Sequence, residues 1–350
     1  MTQHEESASD AASASHLAPA AGVAGSSELS GAILGERYHL QRFLSQGATA
    51  RVYLARDLET EGTVAIKVLS PEAADKPGLR ACVEREGKVA ARVKHPNVVS
   101  VLGEGVTASG LPYLVMEALE GESLDAVLRR RGAFPLPFAL EIVKQAAQAL
   151  CAAHEAGVIH RDVKPGNLLV LRHHDRPFVK LLDFGMAKLS HDPIPADEPP
   201  TVLGTIEYMA PEQIVVESVD ARADIYSLGV VLFRLVTGHL PFEAEAGPMV
   251  LRHQLFSPVP PPSWLAEQID PQIEALVLNA TRKHPDNRYP TMQAFLADLE
   301  AVLEPSDRMV EARPLSQRPD AYVPTTERGH DALRVLSRKF GIYASVPPLS

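Results

Sequence analysis

The chain has 350 residues, room for one large domain or two modest ones with tails. Its 34 basic and 44 acidic residues leave a net charge of −10, which argues against a protein whose main task is to coat nucleic acid or an anionic membrane. With 45% hydrophobic residues it can bury a core unaided, and Cys82 and Cys151 stand far apart outside any C-x-x-C, so a disulfide scaffold or cysteine zinc site is not expected and a reducing compartment fits.

Residues 1–34 are dominated by Ala, Ser and Gly and carry no Lys or Arg. They predict a disordered tail, and the basic start of a secretory or transit segment is missing. No run of about 18 apolar residues exists, so no transmembrane helix is expected and the chain is read as cytoplasmic. From Tyr38 apolar and polar residues alternate around turn signals, predicting paired strands, clearest over 51–55 and 63–68. A helix is predicted over 79–93 and a strand over 112–119. The period turns helical after Ser123, with helices over 124–131 and 137–157. Residues 158–212 read as loop-rich, and helices resume over 223–237, 272–282 and 291–303. Strands first and helices after imply two lobes of α+β type. Residues 305–350 are rich in Pro and polar groups, with a short helix predicted over 331–343 that carries Leu333, Leu336 and Phe340 on one side. That helix could pack on the main domain or dock a partner.

Four motifs then stand in one order: Val64-Ala65-Ile66-Lys67, His160-Arg161-Asp162-Val163-Lys164-Pro165-Gly166-Asn167, Asp183-Phe184-Gly185 and Ala210-Pro211-Glu212. In this order and spacing the chain resembles the protein kinase family, in the style of the bacterial Ser/Thr kinases related to eukaryotic ones. The resemblance implies a bilobal fold over 38–303, with a small β-rich lobe at 38–116, a hinge at 117–121 and a mostly helical lobe at 122–303.

The chemistry accounts for the residue types. Phosphoryl transfer needs neutralised phosphate charge, in-line positioning and a proton acceptor. The resemblance makes Asp162 the residue that orients and deprotonates the substrate hydroxyl and Lys164 the one that stabilises charge on the moving group. It gives Asp183 and Asn167 to the metal; their hard oxygens suit Mg²⁺, with Mn²⁺ a possible substitute. Lys67 would contact the phosphates of ATP and pair with Glu86; Glu84 is the near competitor. Leu44, Gly47, Val52, Ala65, Met116 and Leu169 would enclose the nucleotide, the Glu117 carbonyl and Leu119 amide bonding the adenine edge. The glycine-rich loop departs from G-x-G-x-x-G: Ser45 and Ala50 replace the first and third glycines and leave Gly47. Where such a position needs positive φ, an added Cβ costs roughly 1–2 kcal/mol.

Lys164, and Gly204-Thr205-Ile206-Glu207-Tyr208 ahead of Ala210-Pro211-Glu212, resemble kinases that act on Ser and Thr; Thr205 would bridge Asp162 and Lys164. Arg161 ahead of Asp162 resembles the mark of control by activation-loop phosphorylation, with Thr201 and Ser190 as candidate sites. Asp224 resembles the aspartate that braces the catalytic loop, and Arg288 the partner of Glu212. The expected function is a Ser/Thr protein kinase that also phosphorylates itself, its partners being protein substrates and a regulator reached through the tails. Its rival is a pseudokinase scaffold, favoured only by Ser45 and Ala50. Small-molecule phosphotransfer is a further alternative, opposed by the peptide-positioning look of 204–212.

Overall fold

The computed structural model describes residues 29–47, 49–74, 87, 89–172, 176–184, 188–189, 206–215, 217–243, 247–266, 268–304 and 326–340. The first strands are β1 (Ile33–Leu34), β2 (Tyr38–Gln46), β3 (Ala50–Asp57) and β4 (Thr63–Leu69), followed by β5 (Val101–Val106) and β6 (Pro112–Glu117). They form one antiparallel sheet in the order β1-β2-β3-β4-β6-β5. The alternation expected of half-buried strands is explicit. Tyr53, Ala55, Val64, Ile66 and Val68 turn to one face and pack with Leu40, Tyr113 and Val115. Val52, Ala65 and Lys67 alternate with them and so share the opposite face. Order begins earlier than the predicted Tyr38. Leu34 is buried and pairs with Tyr38, so the segment read as a tail through residue 34 contributes its end to the sheet.

Of the helix predicted over 79–93, only Gly87, Val89 and Ala90 are described as helical, and Ala91-Arg92 already form a turn. The strand predicted over 112–119 stops at Glu117, and β7 (Gly121–Ser123) opens a second sheet with β9 (Leu168–Leu171) and β10 (Val179–Leu181). The region read as loop also holds β8 (Val158–Ile159) and β11 (Lys188–Leu189), which pair with each other.

A short helix, α1 (Pro71–Ala74), follows β4. The second lobe is helical: α2 (Leu124–Arg131), α3 (Leu136–Glu155), α4 (Pro211–Ile214), α5 (Arg222–Thr237), α6 (Gly247–Phe256), α7 (Pro271–Ala280), α8 (Met292–Leu303) and α9 (Glu327–Phe340). Their starts follow local chemistry. Ser123 accepts from the Ala126 amide, Asp270 from Gln272 and Thr291 from Ala294, each satisfying an orphan donor of the first turn. Buried residues almost encircle α5, which therefore runs through the core between α3, α7 and α8. The predicted helices matching α2, α3, α5, α7 and α8 hold within a residue or two, α9 begins four residues before its predicted start, and α4 and α6 had no counterpart. No helix among the described residues is long and apolar enough to cross a membrane.

Candidate active site

The site is built from the floor up. Asp224 sits in the first turn of α5 and is fully buried. One carboxylate oxygen accepts the backbone amide of Arg161 at 2.8 Å. The other accepts the His160 amide at 2.9 Å and His154 Nε2 at 2.7 Å. Burial alone would push this carboxyl up. The hydrogen bond and charge of His154, with the charge and amide of His160, outweigh it and hold Asp224 below its ordinary value. The bracing matters because Arg161 has φ of 66°, a conformation that non-glycine residues adopt only when surrounding structure enforces it.

Asp162 follows directly. Its Oδ2 receives Lys164 Nζ at 2.7 Å and Asn167 Nδ2 at 2.9 Å, and Asn167 Nδ2 also donates to the Asp162 carbonyl at 2.8 Å. The amide nitrogen of Asn167 is thereby committed to Asp162, and its oxygen is the group left to meet a cation. The Leu182 amide donates to the Asn167 carbonyl at 2.8 Å, and the Leu182 carbonyl lies 3.0 Å from His160 Nε2. Both ends of that residue are thus tied to the 160–167 loop, and Asp183 follows it directly. Phe184 is buried against the His160 ring, centroids 4.9 Å apart. Asp183 itself has φ of 60°, a second enforced left-handed residue.

Across the cleft, Lys67 on β4 reaches down and places Nζ 2.7 Å from Asp183 Oδ1. A largely buried ammonium needs such a counter-charge. The partner expected for it was Glu86, which with Glu84 lies outside the described residues. Val52 pairs with Lys67 on the neighbouring strand, and Ala65 with Met116. Leu169 lies on β9, paired with Lys180, and Leu44 is exposed on β2. The Glu117 side chain turns to Lys180 Nζ and the Ser100 amide, both at 2.7 Å, which anchors the segment joining the lobes through Glu117 and Leu119.

The glycine-rich turn is closed by a Gly47 amide to Ala50 carbonyl bond of 2.8 Å. Neither Ser45 nor Ala50 has positive φ, so the replacements bring no backbone strain. The condition for a cost at these two positions is not met: Ser45 lies in β2 opposite Val52, and Ala50 starts β3.

The structural pair also meets. Arg288 forks onto Glu212 at 2.6 and 2.8 Å. Beside it stands a residue the sequence reading missed. Gln213 donates its Nε2 to the Arg161 carbonyl at 2.8 Å and accepts the Ala210 amide, stitching α4 to the loop that carries Asp162. Its only sequence signal is its place after Ala210-Pro211-Glu212. Thr205, Thr201 and Ser190 lie outside the described residues.

The donor set fits a hard divalent cation: one carboxylate at Asp183 and one amide oxygen at Asn167. Among the described residues no group of three His, Cys, Asp or Glu side chains forms a metal cage. A cation here would therefore draw its other ligands from phosphate oxygens and water, the habit of Mg²⁺.

Residues 38–298 match the family described as protein kinase domain. The chain is 40% identical over 272 residues to the serine/threonine-protein kinase PknB of Mycobacterium leprae, covering 77% of this chain and 43% of that protein. It is 36% identical over 294 residues to the serine/threonine-protein kinase pkn3 of Myxococcus xanthus, covering 81% and 53%. It thus spans about half the length of the curated relatives it matches. The crystal structure of a double mutant of the Mycobacterium tuberculosis PknI kinase domain superposes with a TM-score of 0.63 at 27% identity, covering 79% of this chain and 98% of that one. The match runs through both lobes and through every element of the cleft just described: the chain belongs to the protein kinase family.

Proposed function

We propose that this chain is a Ser/Thr protein kinase that transfers the γ-phosphoryl group of ATP to protein hydroxyls, its own included, in the cytoplasm. The observation that carries the reading is the Asp162 carboxylate, oriented by Lys164 and Asn167 on a loop that also bonds Leu182, next to the Asp183 that pairs with Lys67. Asp162 positions the incoming hydroxyl and takes its proton; Lys164 stabilises charge on the group in flight. Lys67 binds the phosphates. A divalent cation, Mg²⁺ or Mn²⁺, held by Asp183 and Asn167 supplies neutralisation of the phosphate charge. Val52, Ala65, Met116 and Leu169 receive the adenine, with the backbone of Glu117 and Leu119 at its edge. Ser and Thr are favoured over Tyr by Lys164 and by the 204–208 segment, and the relatives above carry the name serine/threonine-protein kinase. The unstrained backbone at Ser45 and Ala50 weighs against a scaffold without turnover, a reading that only those two replacements favour.

The test is intact mass over time in Mg·ATP, with Asp162→Asn alongside. Phosphoryl groups should accumulate in the wild type, and the variant should be slower by roughly 10²–10⁴-fold. Peptide mapping would then decide between Thr201 and Ser190. Equal gain in both proteins would overturn the assignment of Asp162, and no gain in either would return the scaffold reading.

A further inference from the structure

Helix α9 lies beyond the kinase domain match, yet it is part of the folded body. Ala332, Leu333 and Leu336 are buried in a cluster with Ile214 and Val215 of the α4 turn and with Leu251 and Leu255 of α6. Ile206, Met209 and Phe256 pack on the same cluster. His330 is buried, while Arg334 and Asp331 pair at 2.8 Å on the exposed side. Ile206 and Met209 belong to the segment between Gly204 and Glu212, where a peptide substrate is expected to lie.

The helix is fastened at the residue just before its first turn. The Thr326 amide and hydroxyl both donate to one oxygen of Glu217, at 2.7 and 3.0 Å. Glu217 is buried, and its own amide is held by the Glu212 carbonyl at 3.0 Å. A carboxylate suits this place because the start of a helix carries partial positive charge. The same geometry makes Thr326 sensitive to modification. Thr326 is exposed, but a phosphate there would set a second, larger negative charge against the buried Glu217 carboxylate, and the donated O–H would be gone.

We propose that α9 is a tethered cover over the substrate-positioning segment, latched by Thr326 on Glu217, and that phosphorylation of Thr326 opens the latch. The docked hydroxyl faces Glu217, so the modification takes place while the helix is transiently free, and the phosphate then prevents return. In that step Thr326 Oγ1 bonds to the γ-phosphorus of ATP. The bond from that phosphorus to the bridging oxygen breaks, ADP leaves, and the hydroxyl proton passes to Asp162 of the copy doing the transfer. The effect on catalysis rests on the kinase reading; the latch itself does not.

The experiment keeps the two apart by installing phosphothreonine at position 326 of the full chain by ligation. Hydrogen exchange over 327–340 is compared among the unmodified chain, the phosphorylated chain, Leu333→Asp/Leu336→Asp, and phosphorylated chains carrying Glu217→Gln or Glu217→Lys. The phosphate should remove protection as the double Asp variant does, and Glu217→Lys should restore it. Glu217→Gln gives an intermediate result and replaces the Lys variant if that one fails to fold. Unchanged protection in the phosphorylated chain overturns the latch. With a Ser/Thr peptide, both opened forms should gain in kcat/KM by roughly 5–150-fold, the usual span of coupling between sites. Equal or lower kcat/KM with the helix released overturns its role as a cover. Turnover absent from every form, with exchange changed as expected, supports the latch and overturns the kinase reading.

Discussion

Arg288 grips Glu212 with both terminal nitrogens, and neither side chain reaches solvent. Its remaining N–H groups go to backbone carbonyls: Nε to Arg282 at 2.7 Å, Nη1 to Arg222 at 3.1 Å and Nη2 to Lys283 at 2.8 Å. All donors of a guanidinium are thereby used. The pair bolts α4 to the loop before α8. Lys has neither the planar fork nor enough donors to replace it. Arg288→Lys and Arg288→Ala should each lose about 3–5 kcal/mol, the cost of stranding a buried charge. Denaturant unfolding measures it. Replacing both partners with apolar residues should cost less than removing one.

Gly229 on α5 faces α7 at close range. A Cβ there would stand 2.7 Å from Ala280 Cβ and 2.8 Å from Thr281 Cγ2. Both neighbours are short and buried, so relief requires the helices to part. Gly229→Ala gains helix propensity worth about 1 kcal/mol. It also overpacks a full core, which typically costs about 1–3 kcal/mol. Net destabilisation is expected in thermal unfolding.

How much of this was legible in the sequence depends on how local the information is. Asp162, Lys164 and Asn167 share one short loop, so their joint role shows in a single motif. Asp224 and Arg288 act across long separations, and only the family resemblance made them visible; from composition alone, each is one acidic or basic residue among many. Gln213 was missed because an amide side chain carries no charge to mark it, and its partner is a backbone carbonyl on another loop. Strand β1 was missed because two residues hold no period. The amphipathic face of α9 was readable, with Leu333 and Leu336 on one side, and packing on the domain was one of two outcomes entertained. Its start at Glu327 was placed too late, since Thr326 caps it by contacts with Glu217 rather than by a local motif. The Phe340 side chain lies outside the described residues.

The glycine-rich loop offers a prediction that runs against its motif. Restoring the family glycines by Ser45→Gly and Ala50→Gly should not tighten nucleotide binding through relief of strain, because neither position is strained. Ala50 is buried at the start of β3, and its replacement also removes a packed methyl. Each glycine adds freedom to the unfolded chain, at a cost of about 0.4–1 kcal/mol. The double variant should therefore melt lower, with ATP affinity unchanged by fluorescence titration; a gain in affinity would show that the loop closes through conformations this backbone does not display.

Acid stability should depend on Asp57 at the end of β3. Its two oxygens accept Arg37 Nε and Nη2 at 2.7 and 2.6 Å, along with the Glu59 amide and the Thr60 hydroxyl. The hydrogen bonds from Arg37 outweigh the opposing effect of burial and hold the carboxyl far below its ordinary value of 3.8. A carboxyl depressed in the folded state contributes stability that is complete above its unfolded pKa and is lost as pH falls through the folded value. The unfolded chain takes up the proton first, so unfolding is favoured as acid is added. Asp57→Asn removes this contribution while keeping the shape. Melting temperatures measured from about pH 7 to about pH 3 should show wild type and variant furthest apart on the neutral side. The gap should hold down to about pH 5 and narrow below the ordinary carboxylate range. Asp224, also held below its ordinary value, titrates in the same direction in both proteins and so leaves the difference between them intact. A gap that widened on acidification would mean that Asp57 is not the charged partner of Arg37 in the folded chain.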